Sequence, residues 1–197
     1  MRKIIDIAAL SIAVCILVMV LFLPSPVLSF KCYRGDGVSC AQLGRDKLSR
    51  GDYEGAKPAL AKACDLGYAK SCHNAGVVYY TGGFGLAADP AKATSFFERG
   101  CDGGMRDSCY NAGIAYDKGL GAPKDRHKAE KLYAKSCELG FGDACNNLGY
   151  LYLSDGDLRG FSKGLGCVKK GCDAGNKKSC EFYEFIKEKI LKKQGGR

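Results

Sequence analysis

The chain writes Cys-x₇-Cys five times, at Cys32–Cys40, Cys64–Cys72, Cys101–Cys109, Cys137–Cys145 and Cys172–Cys180. A glycine stands three residues after the first cysteine of the later four copies, at Gly67, Gly104, Gly140 and Gly175. In one continuous helix such cysteines would lie roughly 12 Å apart, at about 1.5 Å per residue. A disulfide needs Cα atoms within about 7 Å. The helix must therefore stop between them, and the glycine is placed to be its left-handed C-terminal cap. Zinc is the competing use of so many cysteines, but this is not a knuckle spacing and the chain has only two histidines. The expectation is five disulfides in strict sequence order, each stapling the end of one helix to the start of the next, and neither metal nor cofactor.

The first cysteines of the last four pairs step by 37, 36 and 35 residues. A period in this range marks a stacked supersecondary unit. After the second cysteine, "CHNAGVVYY", "CYNAGIAYD" and "CNNLGYLYL" share Asn two residues on, Gly four on and Tyr seven on, with apolar residues at helical spacing. We name this helix A. After a glycine-containing loop, Asp89 with Pro90, and Asp125, open a second helix, B, as N-caps. Tyr79, Tyr116 and Tyr152 are expected to pack between helices A and B. Cys167 is expected at an inward helix B position, in register with Ala59, Phe96 and Leu132. Pro58 falls inside the first helix B, which predicts a short or kinked helix there.

These features resemble the Sel1-like repeat family, relatives of the tetratricopeptide repeat, and in their cysteines the Helicobacter cysteine-rich proteins. The signature C-[DE]-x-G-x₃-[SA]-C-x-N-x-x-G-x-x-Y carries the likeness over about residues 32–193. The first copy departs from it with Gln42 and Lys47, the last with Phe182 and Glu184. The resemblance implies an all-α, right-handed α-solenoid with repeats at about 38–66, 70–103, 107–139 and 143–174, a closing helix over 177–193 and a tail over 194–197.

Ahead of the array, "MRK" and an uncharged, mostly apolar run from Ile7 to Leu23 read as a signal peptide or a membrane anchor over residues 1–29. Both place the cysteine-rich part outside the cytoplasm, periplasmic or secreted, or anchored to the inner membrane, where disulfides persist. Val14 before Cys15 is not the small residue that lipid attachment requires. The formal charge of +9 then suits an acidic partner or envelope rather than nucleic acid.

Asn74, Asn111 and Asn147 lie about 200° around helix A from the stapled cysteine, on the face expected to line a concave groove and to meet water. Asparagine is a poor helix former, and its amide both donates and accepts, which suits a peptide backbone. In the tetratricopeptide relatives the matching Asn binds ligand peptide. The expected function is a monomeric scaffold that holds an extended peptide or protein segment. The alternative, implied by the resemblance alone, is weak penicillin binding or β-lactam hydrolysis. No serine has Lys three residues later, as a serine β-lactamase requires, and no catalytic residue is assigned.

Overall fold

The computed structural model describes residues 26–82, 87–154 and 158–195; the expected leader over residues 1–29 lies largely outside them. The described residues form ten helices and no strand: α1 (Pro26–Tyr33), α2 (Gly37–Ser49), α3 (Tyr53–Asp65), α4 (Ala69–Thr81), α5 (Pro90–Asp102), α6 (Arg106–Lys118), α7 (Arg126–Glu138), α8 (Gly142–Leu153), α9 (Leu158–Asp173) and α10 (Lys177–Gly195). Helices α2/α3, α4/α5, α6/α7 and α8/α9 are the A/B pairs. Each helix packs chiefly on its neighbours in the chain, so the molecule is an all-α solenoid. α1 was not foreseen. It plays helix B to the first staple and spans both sides of the 29/30 boundary.

Every B-to-A junction is built the same way. After Cys64 the Gly67 N–H donates to the Cys64 carbonyl and the Tyr68 N–H to the Ala63 carbonyl, with Gly67 at φ +88°. This is the Schellman closure of a helix C-terminus. It recurs at Gly35, Gly104, Gly140 and Gly175, each donating to the first cysteine of its pair. The turn brings the paired Cα atoms to 4.4–4.7 Å, and five disulfides join Cys32–Cys40, Cys64–Cys72, Cys101–Cys109, Cys137–Cys145 and Cys172–Cys180. Helices α4, α6 and α8 have no side-chain N-cap; the staple and turn hold their starts instead. The B helices α3, α5 and α7 do carry caps. Asp52, Asp89 and Asp125 accept from the N–H groups of Gly55, Lys92 and Lys128 at 2.8–3.0 Å.

α3 runs a full 13 residues through Pro58, the same length as α5 and α7. The expected shortening is absent because Pro58 is solvent-facing and removes only the donor to the Glu54 carbonyl in the first turn, which water can reach.

The core is a string of small clusters rather than one continuous interior. Its recurring unit is a notch and a plug. The signature glycine of helix A faces the side chain four residues before the next first cysteine. A Cβ at Gly44, Gly76, Gly113 or Gly149 would come within 2.5–2.6 Å of Leu60, Phe97, Tyr133 or Val168. These four plugs are at most 4% exposed. The register singled out from sequence, one residue earlier, is the shallower one: Phe96, Leu132 and Cys167 are half-buried, and only Ala59 is buried. Cys167 is a free thiol packed against the Tyr133 cluster.

Tyr79, Tyr116 and Tyr152 are half-buried rather than interior. Tyr79 stacks on Phe96 at 5.4 Å. The Tyr116 hydroxyl donates to Glu98 at 2.9 Å and accepts from Lys128 at 2.7 Å, and the Tyr152 hydroxyl donates to Glu130 at 2.6 Å. Their rings pack, and the Tyr116 and Tyr152 hydroxyls close polar junctions between repeats, which period alone could not distinguish from full burial.

Candidate functional site

Helices α4, α6 and α8 carry Asn74, Asn111 and Asn147 at one register, two residues after the stapled cysteine. All three are half-buried, not the solvated residues that the helical angle suggested. The B helix and the next A helix rise beside this face and cover part of it.

Two consecutive cavities occupy the face, each between successive A helices with a B-helix plug at its floor. The first, about 130 Å³, lies among α4, α5 and α6 and is walled by Val77, Tyr80, Phe97, Asn111, Ile114 and Leu120. The second, about 460 Å³, lies among α6, α7 and α8 and is walled by Ile114, Asp117, Lys118, Tyr133, Asn147, Tyr150, Leu151 and Ser154. Position by position the second is the first moved along one repeat. Val77 becomes Ile114, Tyr80 becomes Asp117, Phe97 becomes Tyr133, and Asn111 becomes Asn147. Ile114 belongs to both, so the cavities adjoin along one face, which we call the groove. Asn74 shares the register but lines neither cavity.

The chemistry changes along the groove. The first compartment is apolar apart from Asn111 and Thr94, and its Val77, Tyr80 and Leu120 are 37–47% exposed. The second is polar. Asp117 pairs with Lys118 at 2.9 Å. The Asn147 amide is a polar neighbour of two phenols, Tyr110 and Tyr133, and both are held above the usual tyrosine pKa, chiefly by burial. The Tyr133 hydroxyl is buried without a hydrogen-bond partner; Asn147 stands beside it, but the geometry of a bond between them is not met.

Alongside the groove, A helices are joined across repeats. His73 Nδ1 lies 3.1 Å from the Ser108 hydroxyl, and the Ser179 hydroxyl donates to buried Asn146 at 3.1 Å. Burial, the largest influence, lowers the His73 pKa, and Asp107 opposes it. Neither this link nor the plug register was read from the sequence. The plugs were nonetheless visible in it, as a large apolar or aromatic residue four places before each first cysteine.

The Sel1 repeat family model matches residues 69–105, 106–141 and 142–176, more than half of the 197 residues. No curated protein matches the chain. Among solved structures, c5321, a protective antigen of uropathogenic Escherichia coli strains, is 21% identical with a TM-score of 0.73, covering 81% of this chain and 35% of that one. A Sel1 repeat protein from Oxalobacter formigenes is 21% identical with a TM-score of 0.65, covering 74% and 60%. Helicobacter pylori cysteine-rich protein B is 27% identical with a TM-score of 0.47, covering 61% and 88%. The chain thus spans about a third of the first and three fifths of the second, and the likeness to those two concerns the fold. With three matched repeats, the notch-and-plug packing and a helix pair in each period, the chain belongs to the Sel1 repeat family.

Proposed function

We propose that the protein is an extracytoplasmic, disulfide-stapled scaffold that binds an extended peptide or protein segment along the groove of its A helices. The observation that carries this reading is the placement of Asn111 and Asn147, one in the wall of each of two consecutive cavities. Half-buried amides beside apolar hollows suit a ligand that brings both a main chain to hydrogen-bond and side chains to bury. The scaffold's family is one of protein-interaction repeats, and ten of the twelve cysteines in disulfides suit an oxidising compartment. The net charge of +9 favours approach of acidic segments.

The test is selection of a displayed random peptide library on the oxidised protein, followed by anisotropy titration of the selected peptides. Changing Asn74, Asn111 and Asn147 together to Ala should weaken binding roughly thirtyfold, at about 1 kcal/mol for each hydrogen bond lost at the two groove asparagines, Asn111 and Asn147. The helical content should be unchanged. Selected peptides that bind the triple variant as tightly as the wild type would place the ligand elsewhere.

A further inference from the structure

The plug register is apolar at Leu60, Phe97 and Val168 and carries a hydroxyl only at Tyr133. Phe97 fills the same kind of notch one repeat earlier, so packing alone does not call for that oxygen. Yet Tyr133 is fully buried, and its hydroxyl has no hydrogen-bond partner. A buried hydroxyl left unpaired is destabilising. It lies in the wall of the one compartment, of the two in the groove, that also carries a carboxylate.

Resting on the groove reading above, we propose that this compartment is a subsite for a neutral carboxamide side chain, glutamine or asparagine, of the bound segment. Asn147 and Asp117 read the carboxamide, and Tyr133 is the positioning residue for Asn147. The Tyr133 hydroxyl donates to Asn147 Oδ1 when the ligand enters. This turns Asn147 Nδ2 to the cavity, where it donates to the ligand's carbonyl oxygen. The ligand's amide N–H donates to the Asp117 carboxylate on α6. A carboxamide supplies the one acceptor and one donor this pairing needs. A carboxylate of the same shape brings no donor for Asp117 and would have to draw Lys118, which also lines the compartment, out of its 2.9 Å pair with Asp117. An ammonium brings no acceptor for Asn147 and meets a carboxylate already paired with Lys118 at 2.9 Å. The cavity, about 460 Å³, falls in the range of roughly 300–1,000 Å³ typical of small-ligand sites. Its neighbour at about 130 Å³ takes the end of an apolar side chain. The groove therefore selects an apolar residue in one compartment and a carboxamide in the next.

The experiment is a titration of the ¹⁵N-labelled oxidised protein with three probes, the N-acetyl methylamides of glutamine, glutamate and leucine. The Asn147 and Asn111 side-chain amide signals are assigned by their loss in Asn147→Ala and Asn111→Ala. The glutamine probe should shift the Asn147 amide saturably, with a Kd on the order of 1 mM for a fragment of this size. The leucine probe should shift Asn111 instead, and the glutamate probe should leave Asn147 unmoved. Tyr133→Phe should weaken the glutamine probe about fivefold or more while raising the melting temperature of the free protein. Equal binding by Tyr133→Phe, a lowered melting temperature, or an equal response of Asn147 to glutamate or leucine would overturn the subsite. If the subsite fails while the triple Asn variant still loses the selected peptides, the groove reading stands; if both fail, the groove reading falls too.

Discussion

At the scale of the residue, two kinds of glycine serve opposite ends. Gly140 is a turn glycine at φ +83° with open space where a Cβ would go. Gly113 is a packing glycine in an ordinary helical conformation, where a Cβ would lie 2.6 Å from the Tyr133 ring. Gly140→Ala should therefore cost about 1–2 kcal/mol, the strain of a left-handed alanine, with no repacking. Gly113→Ala gains up to about 1 kcal/mol of helix propensity but overpacks a buried ring at about 1–3 kcal/mol. The net effect should be a loss. Urea unfolding separates the two mechanisms, because Tyr133→Leu should relieve the Gly113→Ala defect and leave the Gly140→Ala defect as it was.

His73 also acts at this scale. Its folded pKa lies below the ordinary value of about 6.5 because burial disfavours the charged ring, with Lys70 adding to the shift and Asp107 opposing it. The unfolded chain then binds the proton more readily than the folded one. The His73 contribution is complete above about pH 6.5 and is lost as the pH falls below it toward the folded pKa. His73→Gln should flatten the stability profile between about pH 7.5 and 5. A profile as steep as the wild type's would assign that slope to other groups.

Among the elements, the unit of stability is the stapled junction. A disulfide across so short a loop should contribute about 2–3 kcal/mol in the chain-entropy account. The same turn is also closed by two backbone hydrogen bonds, such as Gly104 N–H to Cys101 and Met105 N–H to Gly100. Replacing both Cys101 and Cys109 by Ala should thus lower stability by about 2–3 kcal/mol and leave the helical circular dichroism intact. Loss of helicity in α6 would mean that the turn cannot form without its covalent link. Outside the staples, consecutive B helices are tied by surface pairs such as Arg99–Asp65 at 2.7 Å and Lys128–Glu98. Exposed pairs of this kind contribute little each.

For the whole molecule, nearest-neighbour packing makes stability a sum of repeat and interface terms. The clusters are rich in alanine, with Ala56, Ala63, Ala75, Ala93, Ala112, Ala129 and Ala144 all fully buried. Small side chains allow close helix approach but bury little apolar area apiece. The staples compensate for that thin interior. Full reduction should accordingly convert a single thermal transition into a broad one at lower temperature, monitored at 222 nm with and without reductant. A sharp transition at the original temperature in reductant would show that the helix packing suffices without the staples.

The turn glycines and the cysteine pairing were legible in the chain because each is local, whereas α1 was not. A glycine cap between the two cysteines closes the helix within disulfide reach, and Asp89-Pro90 is a strong helix start. What lay beyond local reading depends on neighbours brought in by the stack. The helical angle alone put Asn111 and Asn147 in water; the adjoining B helix and next A helix half-bury them and hollow the groove beside them. The same period assigned Tyr116 to the interior, whereas the approach of Glu98 and Lys128 makes its hydroxyl a surface clasp. Pro58 obeyed its solvent-facing position rather than its reputation as a helix breaker. The signature glycine was visible as a repeat, but its purpose, a notch for Leu60, Phe97, Tyr133 and Val168, exists only once two helices meet. Local sequence determined where the chain turns, because a turn is settled by a few consecutive dihedrals and a cross-link. Tertiary structure decided which polar groups face the groove and which lie beneath it, because that depends on which neighbouring helix covers them.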